Sequence, residues 1–282
     1  MDYLFIEKCK TELEKELLRE RIFSVHADSK SFSLKFRKGF LNIYTGQPNA
    51  LFFSDSGIAK EKNFRFKALE GIFIKSVKLP VIDRVIEIET VKILPSGKTE
   101  TYYLIFELTG KNANVFLLDG ERKIISTLRE VKSSVRPLER NDTYTFPPQE
   151  KKEFHQLQFG EVTREGIEKN LHKFVTGISP LNAKEIAHLF EKLRSLEKAY
   201  KEFLKKHQLS NSAYLYYEED KPKYMTTFLY QSLEGLRFKE FSKKLPYTEC
   251  WKTYYLEKVE REELKSLKRK LLKDLEKRVE AL

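Results

Sequence analysis

Only 2 cysteines, 2 methionines and 1 tryptophan occur among the 282 residues. Cys9 and Cys250 stand far apart, with no Cys-x-x-Cys pair and no Cys/His cluster near either. That excludes a zinc-ribbon pattern, a disulfide framework and a cysteine-nucleophile signature, and leaves burial as the expectation for both thiols. Long apolar runs are missing too. Tyr102-Tyr103-Leu104-Ile105-Phe106 and Val115-Phe116-Leu117-Leu118 fall far short of the roughly 20 residues a membrane helix needs. The start, Met1-Asp2-Tyr3, reaches Glu7 with neither a basic n-region nor a small-residue cleavage site. It does not read as a signal peptide, and the chain is expected in the cytoplasm.

Aromatic side chains are abundant, with 21 Phe and 14 Tyr, and apolar residues reach 40%. A chain so equipped folds around a sizeable core. At 33.4 kDa it exceeds what one core usually holds, so two domains, or one domain with an extended element, are expected. The net charge is +11. Residues 1–150 carry 25 basic and 21 acidic side chains, and the remainder 28 and 21. This mild basic excess is compatible with a phosphate-rich partner, but charge alone names none.

Apolar positions Leu4, Phe5, Ile6, Cys9, Leu13 and Leu17 recur at helical spacing, predicting an amphipathic helix over 2–18. The period then changes to two. Ser31-Phe32-Ser33-Leu34-Lys35-Phe36 alternates strictly, flanked by strand candidates at 22–26, 40–44 and 50–54. A short helix is predicted at 64–71, then strands at 72–79, 84–93, 100–107, 113–118 and 124–128, with turns at Pro95-Ser96-Gly97-Lys98 and Asp119-Gly120-Glu121-Arg122. About ten short strands before Pro147-Pro148 point to a β-sandwich or barrel within an α+β protein. Phe32, Phe36, Phe52, Phe53, Phe64 and Phe66 are most simply its core.

Three helices are predicted within 155–207, starting at Val162-Thr163-Arg164-Glu165, at Ala183 and at Tyr200. Between the first two, Phe174-Val175-Thr176-Gly177-Ile178-Ser179-Pro180-Leu181-Asn182-Ala183-Lys184 resembles a helix-hairpin-helix. Gly177 stands at its tight turn, Ser179 where a second glycine often sits, and Ala183 at the small packing position. Such a turn aims free backbone N–H groups at a phosphate, and Lys184 would lie close to it. An ordinary helical hairpin is the alternative reading. Strands at 213–217 and 224–229 surround the acidic tip Glu218-Glu219-Asp220 and are expected to complete the first sheet system. From Tyr254 to Leu282 the positions Val259, Leu264, Leu267, Leu271, Leu275 and Val279 predict a further helix. The basic residues between them, among them Lys265, Arg269, Lys273, Lys277 and Arg278, read as a solvated coiled-coil face. His26, His155, His172, His188 and His207 are scattered, with no acidic or thiol partner at catalytic or metal spacing.

Three stretches together resemble the NFACT family. They are Leu79-Pro80-Val81-Ile82-Asp83-Arg84-Val85, Glu107-Leu108-Thr109-Gly110-Lys111-Asn112-Ala113-Asn114, and Val135-Arg136-Pro137 running on to Tyr144-Thr145-Phe146-Pro147-Pro148. Its bacterial members are ribosome-quality-control factors also called fibronectin-binding protein A. The start is similar as well, although Tyr3 stands where a glycine usually follows the first Asp, and Arg19-Glu20 replaces a Gly-Gly pair.

The resemblance implies a β-rich lobe over 1–150 like the first lobe of formamidopyrimidine-DNA glycosylases. It implies a helix-hairpin-helix domain over 151–210, returning strands over 211–253 and the start of a coiled-coil arm over 254–282. The rest of that coiled coil and an NFACT-R domain would lie elsewhere. Implied partners are tRNA, in particular alanyl-tRNA, and a large ribosomal subunit blocked by peptidyl-tRNA, in support of C-terminal alanine tailing. Residue by residue it implies tRNA contact by Asp83 and Arg84, with Asp2 as neighbour. It implies no enzymatic activity, no metal and no cofactor. Two rivals stand beside it. A DNA glycosylase would need an N-terminal Pro-Glu and a Cys-rich finger where this chain has Asp2-Tyr3 and neither. An adhesin that binds fibronectin is the role the older family name implies.

Overall fold

The computed structural model describes residues 1–132 and 135–280, the side chains of 263 and 274–280 excepted. Helix α1 (Tyr3–Leu17) opens with Asp2 as its N-cap, the Asp2 Oδ1 accepting the Phe5 N–H at 3.0 Å. The predicted apolar stripe is the buried face: Phe5, Ile6, Cys9, Leu13 and Leu17 are almost fully enclosed.

Strands β1 (Ser24–Ala27), β2 (Ser31–Phe36), β3 (Gly39–Tyr44) and β4 (Ala50–Ser54) form one antiparallel meander. A second five-stranded meander follows, with β5 (Phe73–Lys78), β6 (Val85–Ile93), β7 (Thr99–Glu107), β8 (Asn114–Leu118) and β9 (Ile124–Thr127). Every strand pairs with its neighbour in sequence, as short turns dictate. The two sheets share one core with α1, and the Phe32 and Phe106 rings meet across it at 6.2 Å. Of the aromatics expected inside, Phe64 is the exception. It opens the 3-10 turn Phe64–Leu69 and stands 80% exposed, while Phe66 two residues on is enclosed.

Helices α2 (Arg164–Phe174), α3 (Pro180–Leu193) and α4 (Leu196–Leu209) begin at Thr163, Ser179 and Ser195, whose hydroxyls accept first-turn N–H groups. They build a second core around Ile167, Leu171, Ile186, Ala199 and Phe203.

The later strands do not complete the first sheets. Strands β10 (Ala213–Glu218), β11 (Lys221–Thr226) and β12 (Arg237–Phe241) make a third sheet in the order β11-β10-β12. Its period of two explains the placement: Ala213, Leu215 and Tyr217 enter the first core while Tyr216 enters the second. The sheet is a shared wall between the two units.

Helix α5 (Pro246–Glu280) begins at Pro246 rather than Tyr254. Its first turns are sunk in the core through Tyr247, Cys250 and Trp251, and Trp251 Nε1 donates to the Asn49 carbonyl at 2.9 Å. Glu12 of α1 caps it from a distance, accepting from Tyr247 N–H at 2.8 Å and Thr248 N–H at 2.9 Å. Farther along, Leu264, Leu267 and Leu271 are exposed. Leu275, Lys277, Arg278, Val279 and Leu282 fall outside the described side chains. Among the described residues no helix is long and apolar enough to cross a membrane.

Candidate functional site

Four separate stretches of chain meet at one cleft of about 370 Å³, lined by Asp2, Asp83, Arg84, Gly177 and Ser179 together with Lys151, His172 and Thr176. Five of the six residues singled out from the sequence therefore lie together. Lys184 does not. It sits one turn into α3, away from the cleft, where its charge acts on Glu218 of β10.

The helical hairpin is pressed against the loop before β6. Gly177 has φ +74°, and a Cβ there would come within 3.0 Å of Ile82 Cγ2 and 3.2 Å of the Tyr3 ring. Glycine is required on both counts. Ser179 is occupied: its hydroxyl accepts from Asn182 N–H at 3.1 Å and donates to Asp2 Oδ2 at 3.0 Å. With its other oxygen on Phe5, Asp2 ties the start of α1 to the start of α3. Asp2 and Ser179 thus position the cleft's walls.

Asp83 and Arg84 keep capacity. The Asp83 Oδ1 accepts from the Arg84 N–H at 2.7 Å, and the guanidinium lies 3.7 Å away, too long for a hydrogen bond. Their side chains are 30% and 35% exposed. The guanidinium retains donor capacity for bidentate contacts, and the carboxylate beside it retains acceptor capacity.

Two cleft residues escaped the sequence reading. Lys151 Nζ donates to the His172 carbonyl at 2.7 Å. His172 is held below its ordinary pKa by burial and by the charges of Lys151 and Lys173, and its Nδ1 has no partner among the described residues. Lys151-Lys152, separated from Pro147-Pro148 by Gln149-Glu150, was a visible signal; His172 had none.

The other two recognisable stretches are structural. Glu107 is buried and accepts from Arg136 Nη2 and the Tyr144 hydroxyl, both at 2.6 Å. Burial and that carboxylate push the Tyr144 phenol well up. Gly110, at φ +74°, exchanges hydrogen bonds with the Asn49 side chain at 2.8 and 3.1 Å, tying the second sheet to the first. No group of three His, Cys, Asp or Glu among the described residues is placed to hold a metal. His207 does find an acidic partner, Glu7 Oε2 at 2.7 Å, across 200 residues of chain.

The family model for the NFACT N-terminal and middle domains matches residues 2–282. This chain belongs to the NFACT family. The fold agrees with solved relatives. A fibrinogen-binding protein from Staphylococcus aureus superposes with a TM-score of 0.72 at 21% identity, covering 87% of this chain and 96% of that one. The N-terminal part of a fibronectin/fibrinogen-binding protein from Streptococcus suis gives 0.72 at 20%, covering 91% and 99%. The N-terminal domain of the fibronectin-binding protein PavA from Streptococcus pneumoniae gives 0.57 at 18%, covering 91% and 98%. No curated protein sequence matches. At these identities the likeness speaks for the NFACT fold and leaves the chemistry of the cleft to be argued from its own residues.

Proposed function

We propose that this NFACT chain is the RNA-binding part of a cytoplasmic ribosome-associated quality-control factor, which engages tRNA and obstructed large ribosomal subunits in support of C-terminal alanine tailing. The carrying observation is the convergence of the 79–84 loop, the α1 start and the α2–α3 turn on one cleft where Asp83 and Arg84 stay partly open. Exposed base edges of an RNA loop offer amino groups to Asp83, and a phosphate or base edge suits Arg84.

In this reading residues 1–150 are a lobe like that of formamidopyrimidine-DNA glycosylases, and α2 and α3 with Gly177 between them are a helix-hairpin-helix. The third sheet joins the two units, and α5 is the base of a coiled-coil arm whose basic residues Lys265, Lys268 and Arg269 suit ribosomal RNA. The lobe acts by binding and not by catalysis.

The test is a fluorescence-anisotropy titration with tRNA over a salt series. Affinity is expected to fall steeply with salt and to weaken in Asp83→Ala and Arg84→Ala. Unchanged titrations in both variants defeat the assignment. The names of the solved relatives favour a second reading, an adhesin for fibronectin. Saturable fibronectin binding by this chain with no tRNA binding would establish it instead.

A further inference from the structure

A cavity of about 1240 Å³ adjoins the cleft and shares the wall of Tyr3, Ile82, Thr176, Gly177 and Ile178 with it. It opens between α1, α4 and the segment 153–163, and its size exceeds the roughly 300–1,000 Å³ of common ligand clefts. Its aromatic lining is pre-stacked. The Phe154 and Tyr200 rings lie 4.0 Å apart and within 5° of parallel, and Phe159 adds a third ring 5.0 Å from Phe154.

The polar lining of the cavity is mainly acidic, whereas that of the cleft is mixed, with Asp2, Asp83 and Glu150 beside Arg84 and Lys151. Glu7, Glu153, Glu161 and Glu197 face Arg194 and Lys201, and Lys201 is already tied to Glu197 at 2.5 Å. Glu7 is held from behind, its Oε2 on His207 Nε2 at 2.7 Å with Thr227 bonded to the other ring nitrogen at 2.9 Å. The Glu7 side chain remains 46% exposed. Carboxylates repel a phosphate but accept from the amino and imino groups of a base. The cations Arg84 and Lys151 lie on the cleft side of the shared wall.

We propose that the cavity takes one unpaired, amino-bearing base of the RNA strand whose backbone runs through the cleft. The base slides over the Gly177 partition onto the Tyr200–Phe154 shelf, and Glu7 accepts from its exocyclic amine. Every base has a π-face that such a shelf accommodates, and splaying a base out of a single strand costs little stacking. Gly177 is then doubly required, since a side chain at the partition would stand between backbone and base. The inference rests on the cleft being an RNA contact.

The experiment uses a fluorescein-labelled, unstructured oligonucleotide read by anisotropy, in two arms. In the first, single abasic replacements are scanned along the strand against the unaltered protein; one position is expected to cost about tenfold in affinity and the others little. In the second, 5-iodocytidine at that position is photocrosslinked and the adduct mapped by mass spectrometry, with Tyr200, Phe154 or Tyr3 the expected sites. Tyr200→Leu is expected to cut crosslinking at least tenfold while the oligonucleotide still binds. Retained binding with a flat abasic scan, or adducts only outside the cavity, overturns the base site and leaves the cleft reading standing. No binding by the unaltered protein overturns both.

Discussion

Two carboxylate–guanidinium pairs sit close together in the first lobe and could hardly differ more. Glu107 and Arg136 are 2% and 14% exposed, meet at 2.6 Å and share the Tyr144 hydroxyl. Asp83 and Arg84 are 30% and 35% exposed and stand 3.7 Å apart. The first pair is closed by burial: once two charges leave water, each must find its full set of partners inside. The second remains in contact with solvent and needs no such completion, so its bonding capacity is available to a partner. All four residues belong to recognisable stretches of the sequence, and only their surroundings separate a closed pair from an open one.

The sharpest way to break this contrast is to open the lock. Arg136→Met leaves the Glu107 carboxylate buried beside Tyr144 alone, and urea unfolding is expected to show a loss of about 3–5 kcal/mol. A loss under about 1 kcal/mol would mean the closed pair is no more structural than the open one. The next effect in size concerns the hairpin that frames the open pair. Gly177→Ala imposes φ +74° on a side chain that would also meet Ile82 at 3.0 Å. It is expected to cost about 1–3 kcal/mol in the same assay and to weaken RNA binding with it.

For Arg84→Ala the expectation reverses: tRNA affinity falls by about 1–3 kcal/mol while unfolding changes by less than about 1 kcal/mol. Glu12 supplies a titratable comparison between the poles. Burial lifts its carboxyl above the ordinary 4.5 even though Thr248 and Tyr247 bond it. The folded protein thus holds that proton more tightly than the unfolded chain does. Glu12's contribution to stability therefore rises as pH falls from neutral through the raised value towards 4.5. Thermal denaturation of Glu12→Gln between those limits is expected to show a flatter pH profile, and an unchanged slope would remove Glu12 from the account. The smallest effect belongs to Asp83→Asn, which is expected to leave stability within about 0.5 kcal/mol while tRNA binding weakens.

Much of the fold was legible because local rules suffice where neighbours in sequence are neighbours in space. The α1 stripe, the two meanders and the turns at Gly97 and Arg122 follow from periodicity and turn chemistry alone. Legibility failed where an element's environment comes from far along the chain. The alternation in 213–218 is plain, but nothing local tells that one face meets α5 and the other the helical unit. The start of α5 was hidden because Tyr247, Cys250 and Trp251 do not look like a coiled-coil seam; they are anchors, capped by Glu12 from the opposite end of the chain. At the cleft, Asp2, Asp83, Arg84, Gly177 and Ser179 were readable as residues, but the bonds from Phe5 N–H and the Ser179 hydroxyl to the Asp2 carboxylate were not. Lys184 was misplaced because one helical step carries a side chain about 100° around the axis.

The amino-acid order by itself settled most of the helices and strands, that the thiols would be buried, and which short stretches mark the family. These depend on periodicity, propensity and residue type, all of which are local. Whether a given Asp or Glu is a cap, a lock or an open acceptor was decided only by the folded chain, because the answer depends on the distance to groups up to 236 residues away and on how much water remains between them.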